Sequence, residues 1–206
     1  MTIGGLALKL TTMDLNQRAK IYHILSQLFF YPDEEFFEKI NEIEDYIQDI
    51  LEEYAESDNL RYQFSEAIDE LRTLPPEELQ AEHTRLFINS FPTLPCPPYE
   101  SAYREMLLMG DYAEEVSKYY SLYDLLIPEE DLPDHISYEL DFMRFLLEEG
   151  DLELAREFFE EHILQWVPDF IADLKNESRL KFYRFVASFL EDFIEREREA
   201  FVRGAG

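Results

Sequence analysis

The residues of this chain whose types and spacing could do chemistry gather in two short stretches. In "LPDHISYELDFM", His135 and Glu139 are four residues apart and share a helix face, with Asp134 beside the helix start. An imidazole among carboxylates titrates near neutral pH and offers a ligand both donors and acceptors. One His with carboxylates is too thin a set to hold a metal, so none is expected. The same residues also suit a structural role, in which Asp134 caps the helix and His135 is a partly exposed bystander.

The second stretch surrounds "PCPPYESAY". Pro92, Pro95, Pro97 and Pro98 place four of the ten prolines within seven residues, and Tyr99, Glu100, Ser101 and Tyr103 follow at once. Proline fixes φ and biases the residue before it to extended backbone, so such a loop loses little entropy on becoming ordered. A stiff wall results, which Leu86, Phe87, Phe91, Leu94 and Tyr99 would line, and rigid aromatic surface binds peptide at low entropic cost. The alternative is a helix connector with its aromatics in the core.

Catalytic signatures are otherwise missing. The chain has no Gly-rich phosphate loop, no "HExxH" and no G-x-S-x-G elbow, and its one cysteine, Cys96, lies between prolines. No catalytic residue and no cofactor are expected. A hydrolase or nucleotide-binding enzyme would have to use Asp134, His135 and Glu139, and a general helical interaction module is a further alternative. His23, His83 and His162 fall in helical patterns and read as packing or surface residues.

Helices must position both stretches. Apolar residues recur at helical spacing almost throughout, which predicts an all-α fold. The expected elements run from Met13 to Phe30, with Leu15, Ala19, Tyr22, Leu25, Leu28 and Phe29 inward; from "DEEFF" to Tyr54; from Leu60 to Leu74; and from Pro76 through "ELQAEHTRLFI". After a proline-rich loop at 90–98, helices are expected at Tyr99–Met109 and Tyr112–Tyr123. A second loop at 127–133 leads to a helix start in which Asp131 caps and Asp134 takes the capping-box place. That helix carries Ile136, Leu140, Met143 and Leu147 on one stripe up to Gly150. Asp151–Trp166 follows, interrupted by Pro168, and the last helix turns Leu180, Phe182, Phe185, Val186, Phe189, Leu190 and Phe193 inward. With no internal repeat and no low-complexity linker, residues 1–206 are expected to form one helical bundle.

Composition narrows the partners. Hydrophobic residues make up 46% of the 206, enough for a core. Asp and Glu number 46 against 18 Lys and Arg, a formal charge of -28 that repels nucleic acid and attracts basic peptides, or simply keeps the protein soluble. A single cysteine excludes an intramolecular disulfide and suits a reducing cytoplasm. "MTIGGLALKL" lacks the basic leader of a secretory signal, and no stretch approaches the about 20 apolar residues of a membrane span. A soluble, cytoplasmic protein is expected.

Taken in order, "TRLFI", "PPYESAY" and "DHISYELDFM" resemble the signature of the TorD/DmsD/NarJ family of molybdoenzyme maturation chaperones, closest to its TorD/DmsD branch. The resemblance implies a single-domain, all-α, non-enzymatic chaperone. Its partner would be an immature molybdenum-containing oxidoreductase subunit, bound through a twin-arginine signal or related N-terminal region, with the apo-enzyme body as a further contact. No nucleic acid partner and no stable membrane insertion are expected, and a homodimer is left open. Pro97, Pro98, Tyr99, Glu100 and Ser101, with Asp134 and His135, match motifs implicated in that recognition. Leu86, Phe87, Tyr103 and Glu139 complete the expected contact set, around a groove between the proline loop and the Asp134 helix.

Overall fold

The computed structural model describes residues 13–54, 58–128 and 131–203, and among them no strand is formed. Ten helices follow in order: α1 (Leu15–Leu28), α2 (Glu34–Tyr54), α3 (Asp58–Leu71), α4 (Pro76–His83), α5 (Glu100–Arg104), α6 (Asp111–Ser121), α7 (Ile136–Glu149), α8 (Leu152–Phe158), α9 (Leu164–Glu177) and α10 (Lys181–Arg203). A π turn at Thr84–Ile88 extends α4, and another at Phe159–Ile163 joins α8 to α9. The residues of "MTIGGLALKL" lie outside the described residues.

Local chemistry explains the main boundaries. Asp14 and Gln17 form a reciprocal capping box at α1: Asp14 Oδ1 accepts from the Gln17 N–H at 2.9 Å and Gln17 Oε1 accepts from the Asp14 N–H at 3.0 Å. Pro76 opens α4, where its missing N–H costs nothing. Gly150 ends α7 with φ +76°, its N–H bonding back to the Leu146 and Leu147 carbonyls. Gly150→Ala is expected to cost about 1–2 kcal/mol in urea unfolding, because a Cβ is strained in that backbone region even where space is open.

The inward stripes pack as their spacing predicts. Ile136, Leu140, Met143 and Leu147 are buried on α7, and Phe182, Phe185, Val186, Phe189, Leu190 and Phe193 on α10. α7 lies along α1, while α10 packs on α3 and α9. Trp166, Phe158, Phe159 and Phe170 are wholly buried between them, each aromatic stabilising the fold by about 1.5–3 kcal/mol through area removed from water. Leu15, in the first turn of α1, is exposed rather than inward.

Three departures from the expected elements bear on the site. Pro168 does not interrupt a helix: α9 runs through it to Glu177, directly after the π turn at Phe159–Ile163, where the hydrogen-bond ladder is already rearranged. The helix expected at Tyr99–Met109 stops at Arg104. Glu105 turns its carboxylate to the next helix, Oε1 accepting from the Asp111 N–H at 3.2 Å, and Gly110 admits it, since a Cβ there would sit 1.6 Å from Glu105 Oε2. The intervening Met106–Met109 is left as an exposed apolar loop with positive φ at Met106 and Met109. Finally, α7 starts at Ile136 with His135 as its cap, so Asp131 is not the capping residue and Asp134 is not in a capping box.

Candidate functional site

The two stretches singled out by their chemistry meet. The prolines deliver Tyr99 in extended backbone (φ −133°, ψ 133°), and His135 is extended as well (φ −73°, ψ 137°). The segments lie antiparallel and form one β-bridge: the Glu100 N–H donates to the Asp134 carbonyl at 3.1 Å, and the Ile136 N–H to the Pro98 carbonyl at 2.9 Å. Each chain then enters a helix, α5 or α7. The first two free N–H groups of α5 and of α7 are satisfied within this junction. Asp134 Oδ2 accepts from the Ser101 N–H of α5 at 2.9 Å, and His135 Nδ1 accepts from the Ser137 N–H of its own helix at 3.2 Å. An Nδ1 that accepts belongs to a neutral ring, in keeping with burial, which pulls the His135 pKa down to about 4.

Above the junction lies an aromatic cluster. The His135 ring is edge-on to Tyr99 at 5.2 Å between centroids, stacked with Phe30 at 6.2 Å and 6.0 Å from Tyr138. Tyr99, His135 and Tyr138 are half-buried and Phe30 is exposed. At Phe30 the cluster borders a cleft of about 790 Å³ between α1 and α2, whose walls include Tyr31, Lys20, Asp33, Glu35 and Glu42. The groove expected between the proline loop and α7 is instead closed where the two segments bond, and the open space adjoins it at Phe30.

Beneath the junction the side chains are polar and sealed. Glu100, Ser101, Asp134, Ser137 and Glu139 have no exposed surface. Glu100 is held by Arg104 and by His162, whose Nδ1 lies 2.8 Å from Oε2. Glu139 Oε2 accepts from the Trp166 indole N–H at 2.9 Å, and the Tyr120 hydroxyl donates to the Pro133 carbonyl at 2.9 Å. Burial, with the Glu100 carboxylate nearby, holds the Glu139 carboxyl well above the usual range.

The expected contact residues therefore divide. Tyr99 and His135 reach the surface together, with Pro97 partly exposed beside them. Glu100, Ser101, Asp134 and Glu139 are interior, as is Pro98, so in this conformation they build the junction and are closed to a peptide. Leu86 and Phe87 are interior for a different reason. They belong to the π turn, where Phe87 packs on Phe29 and His83, and the Leu86 carbonyl accepts the Cys96 N–H at 3.0 Å, tying down the proline loop. Tyr103 is half-buried, donating to Asp173 at 3.1 Å. Of the other loop residues, Phe91 is almost fully exposed and Leu94 half-buried.

Sequence reasoning missed Phe30, Tyr31 and the acidic wall of α2. The signal available was "FFYP", where two aromatics continue past the inward stripe of α1 up to Pro32. His162, read as a packing or surface residue, is buried against Phe158 and Tyr119, and it is also the imidazole that pairs with Glu100. Cys96 is buried and its thiol is pushed up to about 12 by desolvation, which leaves it unreactive. Among the described residues no group of three or more His, Cys, Asp or Glu could hold a metal, and no helix is long and apolar enough to cross a membrane.

Comparison with known proteins follows the same lines. The profile of the nitrate reductase delta subunit family matches residues 42–172, which span both motifs. The chain is 26% identical over 204 residues to the chaperone protein TorD of Vibrio atlanticus (strain LGP32), covering 89% of this chain and 94% of the relative. It is 27% identical over 201 residues to TorD of Vibrio parahaemolyticus serotype O3:K6, covering 86% and 91%. A crystal structure described as that of a redox enzyme maturation protein from Archaeoglobus fulgidus superposes with a TM-score of 0.58 at 29% identity, covering 84% of this chain and 93% of that one. The all-α fold, the joined motifs and these likenesses along most of the chain place it in the nitrate reductase delta subunit family, among the TorD/NarJ-type chaperones of molybdoenzyme maturation.

Proposed function

We propose that this protein acts in the cytoplasm as a non-catalytic chaperone that binds the N-terminal region of a molybdoenzyme catalytic subunit, a twin-arginine signal or a related leader, while the cofactor is loaded. The observation that carries this reading is the aromatic cluster of Phe30, Tyr99, His135 and Tyr138 at the edge of a cleft lined by Asp33, Glu35 and Glu42 together with Lys20 and Lys39, of which Lys39 pairs with Glu35. A leader of this kind joins basic residues to an apolar stretch. Carboxylates attract the first, and half-exposed aromatic rings cover the second at little cost in side-chain entropy. The charge of -28 steers such a peptide toward the protein and makes its association salt-dependent.

Calorimetry with a synthetic twin-arginine leader tests the proposal, with Lys-Lys and shuffled versions as controls. Binding at tens of micromolar or tighter in low salt, weakening as salt is raised, is expected. Tyr99→Ala should weaken it about tenfold, the equivalent of about 1.4 kcal/mol, while the helical circular dichroism stays the same. Absence of binding to any leader in low salt rejects leader recognition. Unchanged affinity in Tyr99→Ala moves the site away from this cluster.

A further inference from the structure

The sealed layer under the junction contains an arrangement that peptide binding does not explain. Glu139 is wholly buried on α7. Its Oε2 accepts from the Trp166 N–H, but Oε1 receives no hydrogen bond, and it interacts with the Glu100 carboxylate across the α5–α7 junction. The groups that interact with it are Glu100 of α5, Trp166 of α9, Asp134 before α7 and Tyr120 of α6, with Arg104 and His162 on the Glu100 carboxylate behind them. Arg104 and His162 are both committed to Glu100, one to each oxygen. No cation among these groups bonds to Glu139.

Against the Glu100 carboxylate, a bare buried carboxylate oxygen gains a hydrogen bond only by carrying a proton and donating it. We infer that Glu139 is kept as a neutral carboxylic acid whose Oε1 proton is donated to Glu100, and that this proton adds a side-chain link between the Tyr99 segment and the His135 segment. The position matters because the backbone bridge above it consists of only two hydrogen bonds, so ionisation of Glu139 sets like charges against each other under the joint that presents the aromatic cluster. This is independent of what the cluster binds.

The direction of the pH effect is set by the sign of the shift. The folded chain holds a proton that the unfolded chain releases above the ordinary value of 4.5. The stabilisation is complete below that value and is lost as pH rises through the raised folded value.

Trp166 is the only tryptophan, so its fluorescence reports on Glu139 directly. The wild-type protein and Glu139→Gln, which preserves the acceptor for Trp166 and offers an N–H toward Glu100, are compared by infrared spectroscopy, fluorescence and thermal melting. At pH 7 the wild type should show the carbonyl band of a protonated carboxylic acid, absent in Glu139→Gln. As pH rises above the ordinary carboxylate range, wild-type Trp166 fluorescence should shift and its melting temperature should fall relative to Glu139→Gln. The inference is overturned by absence of the band from the wild type, which needs no variant to read, or by its presence at equal strength in both. It is overturned equally by a melting difference that does not change with pH, or by a Trp166 transition in the ordinary carboxylate range that the substitution abolishes.

Discussion

Arg18→Ala is expected to lower folding stability by about 3–5 kcal/mol, because it strands a buried carboxylate. Arg18 of α1 reaches Glu197 of α10 with both prongs of its guanidinium, Nε to Oε1 at 2.6 Å and Nη2 to Oε2 at 2.9 Å, and Glu197 has no exposed surface. The guanidinium also lies 4.7 Å from the centre of the Phe201 ring. This contact joins helices near opposite ends of the chain. Burial already pushes the Glu197 carboxyl up against the pull of Arg18. Without Arg18 its folded value rises further, so the deficit grows as pH increases from 5 to 8. Urea unfolding at the two pH values measures this. Replacing both partners with apolar residues of similar volume should recover most of the stability, and a double variant as unstable as the single one would refute the account.

Asp134→Ala is expected to cost about 1–3 kcal/mol and to reduce leader binding in parallel. Its Oδ2 is the buried acceptor for the Ser101 N–H, and through it the first turn of α5 is seated next to Tyr99. The sequence alone placed Asp134 and His135 together in the expected contact set. Burial separates the two residues. Asp134 has no surface to offer a partner, so its loss acts through the fold, and Asp134→Asn, which keeps an acceptor oxygen, should regain most of both properties. His135→Ala removes a partly exposed cap worth about 1 kcal/mol but takes away the ring on which Tyr99, Phe30 and Tyr138 converge, so its binding loss should exceed its stability loss. Parallel melting and calorimetry on the three variants decide it.

What was legible in the residues were the elements with long periodic stripes or strong stop signals: α1 before Pro32, α4 after Pro76, α7 up to Gly150 and the long α10. These patterns are local, and packing reinforced them. The two motifs were legible as unusual, and they do meet, yet seven of the eleven residues assigned to a partner turned inward. Spacing along a helix says which residues share a face but not whether that face is covered, and here α5, α9 and the Asp134 segment cover it with one another. Helix ends made by distant side chains were equally hidden. Asp134 caps a helix that begins 34 positions earlier in the chain, and Glu105 reaches over a loop to Asp111, contacts for which no local propensity gives a sign. The pairing of His162 was hidden because its partner Glu100 lies 62 residues away.

The loop at Met106–Met109 has a further consequence for the protein as a solute. Its four apolar side chains are 51–93% exposed on a molecule with a formal charge of -28. Two copies that drift together meet electrostatic pressure before these greasy tips can touch, and that pressure reaches only about 8 Å at physiological ionic strength. The acidic coat is thus also a colloidal shield, and dissolved salt thins the barrier that keeps one molecule's tip from adhering to the next.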